Sequence, residues 1–192
     1  MSGIWSLGFD VSTTGTGVIL LDPDGKHVAG WAWQENSINP DHRLRSLHLW
    51  TQYIIRLVDR VDAELISLAM EAPFVRGAGT AQLIRVQGAV MAAFDQKFVE
   101  RYGIDRWALY SPSQVKATAG RVTKLPSASK ADLGVALEAA DPDAHAAISE
   151  GALGWADKAK AFGDLVDAYW VARTDFENIR ATIGGSDGKT AR

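Results

Sequence analysis

The chain has 192 residues, 47% of them apolar and 22% charged, with no cysteine and a formal net charge of −3. That length suits one domain with a full core, and the missing cysteine excludes disulfides, thiol catalysis and cysteine-ligated zinc. No apolar run approaches the ~20 residues of a membrane span, and the N-terminus lacks the basic and apolar regions of a secretory signal, so a cytoplasmic protein with no membrane partner is expected.

Residues 4–9 form an apolar run that ends in Asp10. A hydroxyl-rich turn, Val11-Ser12-Thr13-Thr14-Gly15-Thr16-Gly17, leads into a second apolar run at 18–21, which stops at Asp22-Pro23-Asp24-Gly25. This predicts strand, tight turn, strand and hairpin signal. Residues 28–33 read as a third strand. From 42 to 61, Leu44, Leu47, Leu49, Tyr53, Ile54, Leu57, Val58 and Val61 recur at near-helical spacing. Residues 65–70 are a buried strand running into Glu71, and 75–79 form a glycine-broken loop. A second helix is expected over 80–101 and a short strand over 107–110. Ser111-Pro112 opens a short helix in a capping arrangement. Residues 121–127 read as a basic loop and 129–140 as a helix. Pro142 breaks the 141–159 segment, which is hard to assign. The last helix is expected over 162–183. The domain is expected to span 1–183, with 184–192 as a flexible, glycine-rich tail. Strands first, then strand and helix in alternation, predict an α/β domain with a mixed five-stranded sheet flanked by helices.

The overall charge argues mildly against nucleic-acid binding, but its distribution is uneven. Between 106 and 130 stand Arg106, Lys116, Arg121, Lys124 and Lys130, with no acid among them. Such a run can meet phosphates, or it can be an ordinary solvated face.

Four acids carry the chemistry. Asp10 ends the first strand and Glu71 the fourth, and the last helix supplies Asp164 and Asp167, three apart and hence on one face. Each has a plainer reading. Asp10 can cap its turn through the Ser12 and Thr13 amides. Asp164 and Asp167 can be first-turn acids favoured by the helix dipole at an exposed helix start. Together they point to a divalent-metal site, because several carboxylates in one pocket cannot all ionise cheaply without a cation. Hard oxygen donors without cysteine select Mg²⁺, with Mn²⁺ as a substitute, over zinc. Two such ions suit an in-line displacement at phosphorus.

In their order and rough spacing, Leu7-Gly8-Phe9-Asp10, Met70-Glu71-Ala72-Pro73-Phe74, Ser113-Gln114-Val115-Lys116, Lys130 and Asp164-Leu165-Val166-Asp167-Ala168 resemble the RuvC-type Holliday-junction resolvases, ribonuclease H-like nucleases. The resemblance covers about residues 4–173. It implies a ribonuclease H-like fold and makes Asp10, Glu71, Asp164 and Asp167 the metal-binding catalytic acids. It makes Lys116 and Lys130 phosphate-contacting or transition-state-stabilising lysines. Phe74 matches an aromatic that stacks on unpaired bases at the crossover, though as a residue beside Pro73 it equally suits a core plug. Arg76, Arg121 and Lys124 join the expected DNA contacts. A homodimer on branched DNA is implied, with two sites for a four-way junction.

The chain also departs from that pattern. It has Asp10-Val11-Ser12 where the family usually has Asp-Pro-Gly, a longer 141–161 segment, and a less basic charge. These features suit a divergent, phage-borne branch acting in a host cytoplasm. Two other classes compete. The first hairpin is also similar to the phosphate-binding hairpin of sugar kinases and actin-like ATPases, but those need two such domains and the chain has about half that size. The third class is a non-catalytic DNA-binding module of the same fold, against which four intact acids argue.

Overall fold

A computed structural model describes residues 3–186, apart from 62, 64, 74–78, 103–106 and 126–129. Five strands, β1 (Ile4–Val11), β2 (Gly15–Leu21), β3 (His27–Gln34), β4 (Leu65–Glu71) and β5 (Trp107–Tyr110), form one sheet in the order β3-β2-β1-β4-β5. The β1–β2 and β2–β3 pairs are antiparallel, whereas β1–β4 and β4–β5 are parallel. The sheet is therefore mixed and five-stranded, as its alternating pattern predicts. The helices are α1 (Pro40–Val58), α2 (Thr80–Tyr102), α3 (Pro112–Thr123), α4 (Lys130–Ala140), α5 (Pro142–Ala152) and α6 (Lys158–Ser186). None of the described helices is long and apolar enough to cross a membrane.

Strand alternation divides the core into two layers. Leu7, Phe9 and Val11 of β1, Val18 and Leu20 of β2, and Ile66, Leu68 and Met70 of β4 pack with Ile54 and Val58 of α1 and Phe94 and Phe98 of α2. The opposite face carries Ile19, Leu21 and Ala69 against Leu165, Ala168, Tyr169 and Ala172 of α6, with α3, α4 and α5 beyond. Trp170 is wholly buried, and its indole N–H donates to the Leu133 carbonyl at 2.9 Å, tying α6 to α4.

Glycine lets α6 sit directly on the sheet. A Cβ on Gly8 would lie 2.6 Å from the Ala168 carbonyl oxygen and closer still to the Ala172 amide nitrogen. One on Gly17 would fall on the Asp164 carbonyl and lie 2.8 Å from the Leu165 amide nitrogen. Neither Gly15 nor Gly17 has positive φ, so these hairpin glycines serve close approach to α6 rather than turn conformation. The turn itself is closed by Ser12: its amide and its hydroxyl each donate to the Gly15 carbonyl at 2.8 Å, and its hydroxyl accepts from the Gly15 amide at 3.0 Å.

Four sequence expectations need correction. The unassigned 141–159 segment contains α5, because Pro142 stands at a helix start, where its missing N–H costs nothing, and Asp141 caps the Ala144 amide at 3.0 Å. Arg121 belongs to the last turn of α3 rather than to a loop, and Lys124 ends that helix in the left-handed region at φ 58°. Leu49 and Tyr53 face solvent at 63% and 56% exposure, so the buried stripe of α1 is narrower than its leucines imply. Finally, α6 starts at Lys158 and runs to Ser186, four residues earlier and three later than expected; residues 187–192 of the expected tail lie outside the described chain.

Candidate active site

Strand register brings the acids of β1 and β4 together. The parallel β1–β4 ladder pairs Gly8 with Ala69 and Phe9 with Met70, so Asp10 and Glu71 follow side by side at the same sheet end. Ser6, Gly8 and Asp10 alternate onto the face that α6 covers. Asp10 is also the strand partner of Gly17, and Gly17 is the residue pressed against the Asp164 backbone. The helix runs antiparallel to β1, with Asp164 beside Gly17, Ala168 and Ala172 on Gly8, and Asp175 on Ser6. Asp167, one turn on from Asp164, shares that inner face.

The long start of α6 removes the plainer account of its acids. Asp164 and Asp167 stand in the second and third turns, past the reach of the N-terminal dipole. Both are buried at 6% exposure, with Leu165 and Val166 buried beside them. Asp10 and Glu71 are half-buried. The Glu71 carbonyl accepts from the Gln87 side chain at 3.1 Å, which ties the end of β4 to α2.

The donor set is all carboxylate oxygen and suits a hard divalent cation. As they stand, no three His, Asp or Glu side chains among the described residues are gathered around one ion position. Asp164 Oδ2 accepts from the Lys160 ammonium at 2.7 Å. Lys160 went unnoticed in the sequence, although its i,i+4 spacing to Asp164 was available to find it.

The cations divide along α3. Lys116 lies half-buried in the half of the helix nearer the β5 end from which α3 departs. Arg121 lines a groove of about 250 Å³ with Gln114, Ala117, Thr118, Thr174 and Asn178. Thr174 and Asn178 stand roughly two to four turns further along α6 than the acids, so Arg121 is not brought to the carboxylate end. Lys130 opens α4, and its side chain lies outside the described part. Phe74, Arg76 and Arg106 lie outside the described residues altogether.

A fifth carboxylate on the same helix was also missed. Asp175 is buried at 2% exposure. It accepts from the Ser6 hydroxyl at 3.1 Å and the Tyr110 hydroxyl at 3.0 Å, with Ser67 a further partner. Burial raises its pKa above the ordinary carboxylate value of 3.8, and the three hydroxyls only partly offset this. Burial, reinforced by the neighbouring Asp175 charge, pushes the Tyr110 hydroxyl up to about 12. This cluster pins α6 to β1, β4 and β5.

The raised pKa has a defined sign in stability. Between the unfolded value near 3.8 and the higher folded value, the folded chain binds more protons than the unfolded one. Stability from this group therefore falls as pH rises through that window. Asp175→Asn is expected to remove the fall, so the stability difference between wild type and variant changes steadily above about pH 4 and levels off at higher pH. Urea unfolding of both proteins over a pH series checks this; parallel curves would refute it.

No protein-family model matches the chain, and no curated protein matches it. Solved structures do. The chain is similar to T. thermophilus RuvC in complex with a Holliday junction substrate, at TM-score 0.62 and 18% identity, over 93% of this chain and 97% of that one. A second Thermus thermophilus RuvC structure matches at TM-score 0.60 and 18% identity over the same shares. With a mixed five-stranded sheet flanked by helices and a structural match over 93% of its length to 97% of RuvC, the chain has the RuvC-type, ribonuclease H-like α/β fold.

Proposed function

We propose that the chain is a structure-selective, divalent-metal-dependent endodeoxyribonuclease that resolves four-way DNA junctions by paired phosphodiester hydrolysis. What supports this reading is that Asp10 and Glu71 stand at the ends of the neighbouring strands β1 and β4, while the backbone of Asp164 in α6 packs on Gly17, the strand partner of Asp10, in a RuvC-type fold. The fold match to a RuvC bound to a Holliday junction supports branched DNA as the substrate.

The four carboxylates would hold Mg²⁺, or Mn²⁺ in its place. A divalent cation there supplies Lewis acidity and lowers the pKa of water toward neutrality. The chain's own residues do the rest. Burial of Asp164 and Asp167 keeps water from competing for their oxygens, and the strand ends fix the spacing of Asp10 from Glu71. Lys116, and Lys130 at the start of α4, offer positive charge to the scissile phosphate from the acid-free 106–130 stretch. Phe74, Arg76, Arg121 and Lys124 are proposed as further DNA contacts. A homodimer would present two such carboxylate sets to the two opposed strands of a junction. The chain would act in the cytoplasm, that of a host if it is phage-borne. The kinase reading is not favoured, since the fold match to RuvC covers 93% of this chain and 97% of that one.

Purified protein incubated with four-way, three-way, flap and linear DNA in Mg²⁺ or EDTA tests the proposal. Symmetric nicks in the four-way junction that leave 5′-phosphate and 3′-hydroxyl ends and vanish in EDTA are the expected result. Equal cutting of linear duplex would refute junction selectivity, and cutting in EDTA would refute the metal.

A further inference from the structure

We infer that Lys160 is a built-in counter-ion for Asp164, competing with the divalent cation for the same carboxylate and so setting the metal concentration at which the site loads. The inference rests on the metal-binding reading of the four acids and adds to it a residue that tunes occupancy.

Three observations carry it. The Lys160 ammonium lies 2.7 Å from Asp164 Oδ2, a charge-assisted hydrogen bond of ordinary length. The pair is sheltered, with the aspartate side chain 9% exposed and the lysine side chain 30% exposed, so solvent screens it less than a surface pair. The sheet also makes room for it. A Cβ on Gly15 would fall on both the Lys160 ammonium and Asp164 Oδ2, so the bare glycine at the start of β2 leaves the space in which the two groups meet.

The physical consequence follows from the geometry. An oxygen that accepts an ammonium proton at hydrogen-bond distance gives up one of its lone-pair directions and part of the negative potential that a cation needs. Lys160 must swing away before Oδ2 of Asp164 can serve as a full ligand. Its long flexible side chain and partial exposure permit that movement without backbone change. The released ammonium then stays in the first turn of α6, over the β1–β2 turn.

Mn²⁺ titration by calorimetry or electron paramagnetic resonance, without DNA, reads the effect directly. Lys160→Gln is expected to tighten Mn²⁺ binding by roughly tenfold, the factor that applies if the ion pair holds Asp164 about nine-tenths of the time. Lys160→Arg should keep the wild-type affinity. Lys158→Gln removes an equal charge from an exposed position two residues away and controls for net charge. An equal gain in Lys158→Gln and Lys160→Gln would overturn the inference, as would no gain in Lys160→Gln. If neither wild type nor any variant binds Mn²⁺, the metal-binding reading itself fails, and the inference falls with it.

Discussion

Asp10→Asn is expected to reduce junction cleavage by about a thousandfold while leaving junction binding intact. The substitution keeps the side-chain shape and removes one full negative charge from the end of β1. A divalent cation contributes several kcal/mol of transition-state charge stabilisation, and a loss of about 4 kcal/mol corresponds to about three powers of ten in rate. Binding should survive because cations carry it, and loss of an acid beside the phosphate lowers repulsion. Single-turnover cleavage in Mg²⁺ and a gel-shift titration in Ca²⁺ or EDTA separate the two effects. A variant that cuts at the wild-type rate removes Asp10 from the site. One that neither binds nor keeps its thermal transition shows that Asp10 holds the fold instead. Glu71, its neighbour across the β1–β4 ladder, should behave alike as Glu71→Gln.

Gly8→Val should destabilise the protein by about 3 kcal/mol or more, a large share of the roughly 5–15 kcal/mol that holds a domain folded. The new side chain would meet the Ala168 carbonyl and the Ala172 amide, which are helix backbone and cannot rotate away as a side chain can. The remaining escape is to lift α6 off the sheet, and that would open the contacts of Leu165, Tyr169 and Ala172 with the core. Gly88 provides the contrast. It lies in the middle of α2 with open space where its Cβ would be, so Gly88→Ala should raise stability by roughly 0.5–1 kcal/mol. Chemical denaturation of the two variants beside wild type decides the point: a Gly8→Val protein within about 1 kcal/mol of wild type would mean that α6 does not depend on this contact.

The sequence disclosed most of the framework because the framework is local. Apolar runs of strand length, the Ser111–Gln114 capping box and the long amphipathic stretches each declare themselves within a few residues. The four acids were legible as a set because each ends a strand or stands among apolar neighbours in a helix. Contacts between distant parts of the chain were not legible. Gly15 and Gly17 read as turn glycines, yet their reason lies in α6, almost the whole chain away. Asp175 carries no local signal of its role, and only the fold brings Ser6 and Tyr110 to it. Pro142 was taken as a break when it begins a helix, because a proline signals both. Lys160 was overlooked because a lysine four residues before an aspartate is common on wet helix faces, and burial alone makes this one different.

The seating of α6 on β1 and β2 also sets when in its synthesis the proposed site can be completed. The strands are translated first and the helix that covers them last, so bonds such as Ser6 to Asp175 join residues 169 positions apart. Contacts of that span form late and slowly. A partly synthesised chain would hold Asp10 and Glu71 without Asp164 and Asp167, so on the proposed function it would stay inactive until α6 emerges from the ribosome.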